Sequence, residues 1–309
     1  QRVMVDQFLA GREFECEAVC DGEDVLIPGI FEHIDPSGIH SGDSIAVFPS
    51  YSLTEEQKKE VLRFVTTISK ELNVHGLLNI QFVLRGGVFW IIEANPRASR
   101  TVPIVSKISK LPIVDMAVGV ALGERLRDMP YGTGLYPETG QWGIKVPVFS
   151  NDKLPGLDPK LGPRMMSTGE SLGVADNLAD AIMEGLRGSG WLPPSSGRIL
   201  MSIADSEKSD AMPVASLFKM LGWEVDATEG TAAYLNKWGI EANLVEVEEI
   251  VKRLRAGKWN LVLNIPSGSE RHMADGAMIR KQACAAGIPC LHSIAAAWAV
   301  AAGLNRTER

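Results

Sequence analysis

The sequence predicts a mixed α/β and α+β fold in three parts. These are an antiparallel sheet with helices over residues 1–122, a connecting segment over 123–189, and a small parallel α/β domain over 190–309. Three observations predict it. Residues 3–94 hold apolar and period-2 runs separated by turn signals, the mark of antiparallel strands. Residues 130–163 are rich in Gly and Pro and show few clear periods. Beyond Gly188-Ser189-Gly190-Trp191-Leu192-Pro193-Pro194-Ser195-Ser196-Gly197, the strongest linker signal in the chain, strand and helix patterns alternate, as in a parallel sheet.

Composition bounds the function classes. The 309 residues are 45% hydrophobic and 22% charged, which excludes disorder over most of the chain. A net charge of −7 argues against a nucleic-acid partner gripped through a basic surface, while leaving room for a local anion pocket. Ile294 to Leu304 is apolar but falls short of the roughly 20 residues of a membrane span, so no membrane partner is expected. Cys16, Cys20, Cys284 and Cys290 show no CxxC spacing; Cys16 and Cys20 share one face of an expected strand and read as free core thiols, and a cytoplasmic protein is expected. Gln1 to Val5 has no start Met and no signal segment and reads as already inside a strand. An excised fragment is therefore expected.

Each element has its own signal. Val3 to His33 reads as a run of strands, with Phe14 to Val19 alternating and Asp21-Gly22 turning the chain before Val25. Asp35 to Ser44 is a polar loop. Thr54 with Gln57 is a capping-box pattern. Val61, Phe64, Val65, Ile68 and Leu72 then mark one helical face. Leu77 to Phe82 and Val88 to Ala94 are strands, Val114 to Ala121 a short buried helix, and Trp142 to Val148 a further strand. After the linker come strands at Arg198–Ile203, Glu224–Ala227 and Leu261–Asn264, with helices at Val214–Leu221, Val245–Leu254 and Met278–Ala286.

The hairpin is the most informative segment. If Gln81 opposes Glu93, then Asn79 opposes Asn95 and the four polar side chains share one face. The other face then carries Ile80, Phe82 and Leu84 against Ala94, Ile92 and Trp90. A two-residue Gly86-Gly87 loop would set Gln81 opposite Ile92 and scatter the polar groups. Burial therefore selects an odd loop, Gly86-Gly87-Val88 with a bulge. One carboxylate with amide oxygens suits Mg²⁺, which binds through few carboxylates plus substrate phosphates. Arg97 and Arg100 follow, and two guanidiniums there would hold phosphate or carboxylate oxygens. The alternative is a wet hairpin face.

Ile92-Glu93-Ala94-Asn95-Pro96-Arg97-Ala98-Ser99-Arg100-Thr101-Val102-Pro103, with Asn79-Ile80-Gln81-Phe82, resembles the ATP-grasp ligases. More narrowly, it resembles the carbamoyl phosphate synthetase large-chain family. Glu32-His33-Ile34, Gly38 to Ser44 and Ser167-Thr168-Gly169-Glu170 are similar to the same family. The Thr-Val-Pro resembles its second, carbamate-phosphorylating half, and the part beyond the linker its methylglyoxal-synthase-like regulatory domain, a Rossmann-like fold. The resemblance covers essentially the whole chain and implies a partial ATP-grasp domain using ATP with Mg or Mn. It implies metal and phosphate-side contacts at Gln81, Glu93 and Asn95, and phosphoryl and carbamate contacts at Arg97 and Arg100. Gln7 and Leu9 would edge the adenine and Glu13 would take the ribose, unless Glu13 is merely a solvent-facing strand residue. Gly38, Ile39, His40 and Ser41 would lie beside the nucleotide, unless His40 is a structural hydrogen-bonder. The implied partners are the rest of a large chain, a glutamine amidotransferase small chain and carbamate, serving arginine and pyrimidine biosynthesis. The family's earlier lobe is absent, so no product is expected from the chain alone.

Ser202, Lys208, Thr228, Thr231 and Asn264 each follow or end a predicted strand. In open α/β sheets ligands bind outside the strands' carboxyl ends. The resemblance makes this a nucleotide effector site, though a plain turn at Thr228 to Thr231 is the alternative. Glu246, Glu248 and Glu249 would repel a phosphate there. By resemblance, Asp35, Asp43 and Glu170 are acidic candidates for the amine of ornithine, which is thus the favoured effector. Two other readings stand beside this one: another ATP-grasp carboxylate or biotin-type ligase, and a non-catalytic effector-binding module.

Overall fold

The computed structural model describes residues 3, 5–150, 158–266 and 270–306. The chain forms two compact units, Gln1–Val146 with Leu172–Ala181, and Pro147–Ser171 with Ile182–Arg309. Its first elements are β1 (Arg12–Asp21), β2 (Val25–Ile27), β3 (Ile30–His33), β4 (Ala46–Phe48), α1 (Glu55–Glu71), β5 (His75–Arg85) and β6 (Val88–Asn95). Then follow α2 (Thr101–Ser109), α3 (Ile113–Ala121), β7 (Gly134–Leu135), β8 (Trp142–Val148), β9 (Gly169–Ala175) and α4 (Leu178–Gly188). The sheet runs β6-β5-β1-β3-β4-β8-β9, and β2 pairs with β1 and β7. Val3 and Val5 are exposed and lie outside any strand, so the strand expected at the N-terminus begins only at Arg12. Met4 lies outside the described residues.

The two faces of β1 have different fates. Phe14, Cys16 and Ala18 pack with Ile80, Phe82 and the α1 residues Val61 and Val65 in one core. On the opposite face Glu13, Glu15 and Glu17 give way to Val19, which joins Phe31, Ala46 and residues of α2 and α3 in a second core. The second face is therefore apolar at one end and polar at the other. Of the expected α1 face, Leu72 fails: it caps the helix and is 56% exposed. The capping box itself forms, with Thr54 Oγ1 accepting from Gln57 N and Gln57 Oε1 accepting from Thr54 N. Thr54→Ala is expected to cost about 1 kcal/mol in a denaturant melt. An unchanged melt would show that the cap carries no stability.

The hairpin has the predicted pairs but a different device. Asn79 pairs with Asn95 and Gln81 with Glu93, yet Arg85 pairs with Val88. The loop is therefore the two-residue Gly86-Gly87, both at positive φ, as a tight hairpin turn requires. The bulge lies inside β6, where Ile92 stands between the Gln81–Glu93 and Phe82–Ile91 pairs. This corrects the apolar face. Phe89 is the buried residue, packed edge-on against Phe14 and Phe82, while Trp90 and Ile92 are about half exposed. In α3, Val114 and Val118 are likewise exposed, with Ile113, Met116 and Val120 turned inward.

In the expected connecting segment the strand expected at Trp142–Val148 forms β8 and pairs with β4, while β9, which its composition did not announce, extends the sheet. The second sheet comprises β10 (Arg198–Ile203), β11 (Glu224–Ala227), β12 (Asn243–Leu244), β13 (Leu261–Ile265) and β14 (Cys290–Leu291). Its order is β12-β11-β10-β13-β14, with every pair parallel. The helices are α5 (Lys208–Met220), α6 (Glu229–Lys237), α7 (Val247–Arg255), α8 (Glu270–Ala285) and α9 (Ile294–Arg306). Mixed α/β architecture, with an antiparallel sheet followed by a parallel one, is the predicted class. Among the described residues no helix is long and apolar enough to cross a membrane.

Candidate functional site

Strand register assembles the polar face. β1 lies beside β5, with Glu15 opposite Gln81 and Glu17 opposite Asn79. β6 adds Glu93 and Asn95 on the far side. Two rows result, Glu15–Gln81–Glu93 and Glu17–Asn79–Asn95, and side chains directly opposite one another share a face. Glu93 is exposed, and its Oε1 accepts from Asn95 Nδ2 at 2.8 Å. Gln81 Nε2 donates to Ser41 Oγ at 2.9 Å, which leaves its carbonyl oxygen as the ligand atom. One outward carboxylate beside an amide oxygen is a donor set that fits Mg²⁺.

Behind it lies a buried ionic row that the sequence reading missed. Glu13, Glu15, Glu17 and His33 are all buried. His33 Nδ1 faces Glu13 Oε2 at 3.3 Å and its Nε2 faces Glu15 Oε2 at 3.4 Å. Burial disfavours the protonated ring, but these carboxylates override it and raise His33 above its ordinary range. Burial would raise Glu15 too. The His33 hydrogen bond, the Lys145 charge and Asn79 outweigh it, and Glu15 falls to about 2. Glu17 goes the other way. Burial and the neighbouring Glu15 charge push it up to about 7, although Ser99, Thr101 and Asn79 all hydrogen-bond its Oε1. Lys145 on β8 is buried, and its Nζ donates to Ser41 O at 2.6 Å. A period-2 strand gave no way to tell this face from a wet one.

The predicted loop residues fall close to this row. Glu13 is buried rather than solvent-facing, and its Oε1 accepts from Gly38 N at 3.0 Å. Gly38 has φ +93, and a Cβ there would lie 2.9 Å from the Phe8 ring, so glycine lets the loop approach the 5–10 segment. Gln7 is exposed and Leu9 half-buried on that segment, and Ile39 is half-buried. His40 caps a 3-10 turn, its Nδ1 accepting from Gly42 N at 3.1 Å, so one ring nitrogen is taken up by the loop itself. Asp35 Oδ2 accepts from Ile45 N, and Asp43 is fully buried. Both stand in the first unit, whereas Glu170 stands in the second.

Arg97 and Arg100 are exposed. Arg97 Nη1 donates to Ala98 O at 3.1 Å, and its side chain borders a cavity of about 460 Å³ with Leu72, His75 and Val118. Its backbone N donates to Asn95 O at 2.8 Å, so the turn after β6 sets Arg97 directly beside the polar row. Ser99 and Thr101, between and beside the arginines, tie this loop to Glu17.

In the second unit Ser202, Lys208, Thr228, Thr231 and Asn264 do meet, around a cavity of about 240 Å³ at the carboxyl ends of β10, β11 and β13. Lys208 is buried, with Nζ 2.5 Å from Asp205 Oδ1. The Thr231 hydroxyl is taken up by the backbone, accepting from Ile203 N at 3.1 Å. Of residues 246–249 only Val247 lines the cavity, so the three glutamates expected to repel a phosphate do not themselves form its wall. The acids that line the cavity are Asp205, Glu229 and Asp275. Ser267 and Gly268, which continue the chain after Pro266, lie outside the described residues.

Residues 1–129 match the family "Carbamoyl-phosphate synthase L chain, ATP binding domain", and residues 210–292 match "MGS-like domain". The chain is 41% identical over 292 residues to the carbamoyl phosphate synthase large chain of Caldanaerobacter subterraneus subsp. tengcongensis, covering 94% of this chain and 27% of that one. It is 41% identical over 308 residues to the large chain of Lachnoclostridium phytofermentans, covering 98% and 29%. It thus spans less than a third of the length of these relatives. A solved biotin carboxylase domain of a single-chain bacterial carboxylase is 15% identical, with a TM-score of 0.44, over 58% of this chain and 46% of that one.

Proposed function

We propose, on the premise that the chain is related to the C-terminal part of carbamoyl phosphate synthase large chains, that it carries the carbamate-phosphorylating site of an ATP-dependent ligase and an effector domain. The supporting observation is the three-strand register that sets Glu15, Gln81 and Glu93 in one row. Phosphoryl transfer asks a protein to position groups and neutralise charge rather than to form covalent bonds. A carbamate oxygen attacks the γ-phosphorus of ATP, the bond to the β–γ bridging oxygen breaks, and ADP leaves. Glu93, Gln81 and Asn95 would hold Mg²⁺ or Mn²⁺, which supplies charge neutralisation between the phosphates. Glu13, already held by Gly38 N and His33, keeps lone pairs for ribose hydroxyls. Gln7 and Leu9 would edge the base, with Gly38, Ile39, His40 and Ser41 beside the nucleotide. Arg97 and Arg100 would contact the transferred phosphoryl group and the carbamate.

The same reading makes the rest of a large chain and an amidotransferase small chain the partners, with product directed to arginine and pyrimidine biosynthesis. The domains are 1–122, 123–189 and 190–309. The effector is a nucleotide at the 240 Å³ cavity or ornithine, for whose amine Asp35, Asp43 and Glu170 are separate acidic candidates.

The test is the reverse half-reaction in a complete large chain carrying this segment, with ATP formed from ADP and carbamoyl phosphate. Arg100→Ala is expected to raise KM for carbamoyl phosphate about tenfold or more, since one charge-assisted contact is lost. ATP formation unaffected by both Arg97→Ala and Arg100→Ala would contradict the assignment.

A further inference from the structure

Asn264 ends the central run of β13 and lines the effector cavity. Behind it, on α8, Arg280 is only 2% exposed. Arg280 Nη1 donates to Asn264 Oδ1 at 2.7 Å. Its Nε and Nη2 make a paired contact with Asp158, at 2.8 Å to Oδ1 and 2.6 Å to Oδ2. The three residues belong to the same compact unit. Packing around them is close, because a Cβ at Gly276 would stand 3.1 Å from Arg280 Nη1 and 3.3 Å from Asn264 Oδ1.

A guanidinium only donates, so the amide atom facing it must be the oxygen. Nδ2 of Asn264 is then turned away from Arg280 and remains as a donor for a ligand. A buried guanidinium without its carboxylate is strongly disfavoured. The orientation of Asn264 therefore depends on Asp158, which is not part of the cavity wall.

We infer that Arg280 and Asp158 are positioning residues that hold Asn264 as a hydrogen-bond donor to a phosphate monoester and couple occupancy of the cavity to the chain that follows Asp158. The inference rests on reading this cavity as an effector site. An acceptor on Nδ2 polarises the amide and strengthens its bond to Arg280, and that guanidinium in turn grips Asp158. Linkage is reciprocal, so loosening Asp158 weakens the ligand as much as the ligand steadies Asp158. The titratable groups beside the pair are Lys281, near Asp158, and Cys290 and His292, near both Arg280 and Asp158; Asp275 stands on the cavity wall.

Asp158 is the residue to vary, because its side chain is 27% exposed and lies outside the core. Calorimetric titration of the chain with inorganic phosphate and with UMP, joined to amide exchange over residues 159–166, tests the inference. Asp158→Asn is expected to weaken the bound ligand about tenfold, with Asp158→Glu recovering most of the loss. Ligand should slow exchange of 159–166 in the parent chain and not in Asp158→Asn. UMP binding more tightly than phosphate marks a nucleotide, and equal affinity marks free phosphate. In both arms the Asp158 dependence is the readout. Binding with no Asp158 dependence overturns the coupling and leaves the effector site standing. No binding of either ligand to the parent chain overturns both.

Discussion

Glu93→Gln in a complete large chain is expected to lower kcat for carbamoyl phosphate formation by about 10²–10³, with KM for ATP little changed. The carboxylate is exposed on β6, opposite Gln81, and hydrogen-bonded only through Asn95 among the described contacts. Replacing it by an amide keeps shape and the β6 register but removes the negative charge that would fix a divalent cation. The reverse half-reaction should fall by a similar factor, because both directions share one transition state. Steady-state kinetics at saturating Mg²⁺ check the result. An unchanged kcat would remove Glu93 from the site.

Two glutamates on the same face of β1 are expected to respond oppositely to the same substitution. Glu15 is held at about 2, below its ordinary value of 4.5, so its charge stabilises the fold. That contribution is complete above pH 4.5 and is lost as pH falls toward 2. Glu15→Gln should therefore cost about 3 kcal/mol at pH 7 and progressively less in acid. Glu17 is raised from 4.5 to about 7, so its ionisation works against the fold. The penalty is absent below pH 4.5, grows between 4.5 and 7, and is complete above. Glu17→Gln should gain on the parent chain by about 3 kcal/mol between pH 4 and pH 8. Urea melts of the chain at pH 4 and pH 8 read both effects. The opposite ordering, with Glu17→Gln the more damaging at pH 8, would contradict these charge states.

The hairpin shows how much of this was legible. Keeping Asn79, Gln81, Glu93 and Asn95 together required a one-residue register correction, and burial arithmetic demanded it before any coordinates. Where the extra residue sits was not legible. Gly86-Gly87 is an ideal two-residue turn, so the correction moved to Ile92 in mid-strand, and Phe89 replaced Trp90 in the core. Thr54 and Gln57 marked α1 because a capping box is a local device. Helices α2, α4 and α6 were missed: α2 and α6 span only nine residues each, whereas α4 carries Ala181, Ile182 and Leu186 at helical spacing, a period the sequence did offer. The Glu13–Glu15–Glu17 row read like an ordinary wet face. Its partners His33, Lys145, Ser99 and Thr101 come from distant elements, and only the topology brings them in. Ser202, Lys208, Thr228, Thr231 and Asn264 meet at one cavity, as expected, because strand ends in a parallel sheet meet at one edge. Arg280 and Asp158 escaped because nothing in their spacing pairs them.

Anomalous diffraction at the manganese edge tests the site most directly, on crystals of a complete large chain soaked with Mn²⁺ and a non-hydrolysable ATP analogue. The three-strand register predicts a peak bound by a Glu93 carboxylate oxygen and the Gln81 carbonyl oxygen at about 2.1 Å, the spacing of a small divalent cation to oxygen. A nucleotide-bound manganese peak in this half of the molecule that touches neither Glu93 nor Gln81 would contradict the site built here.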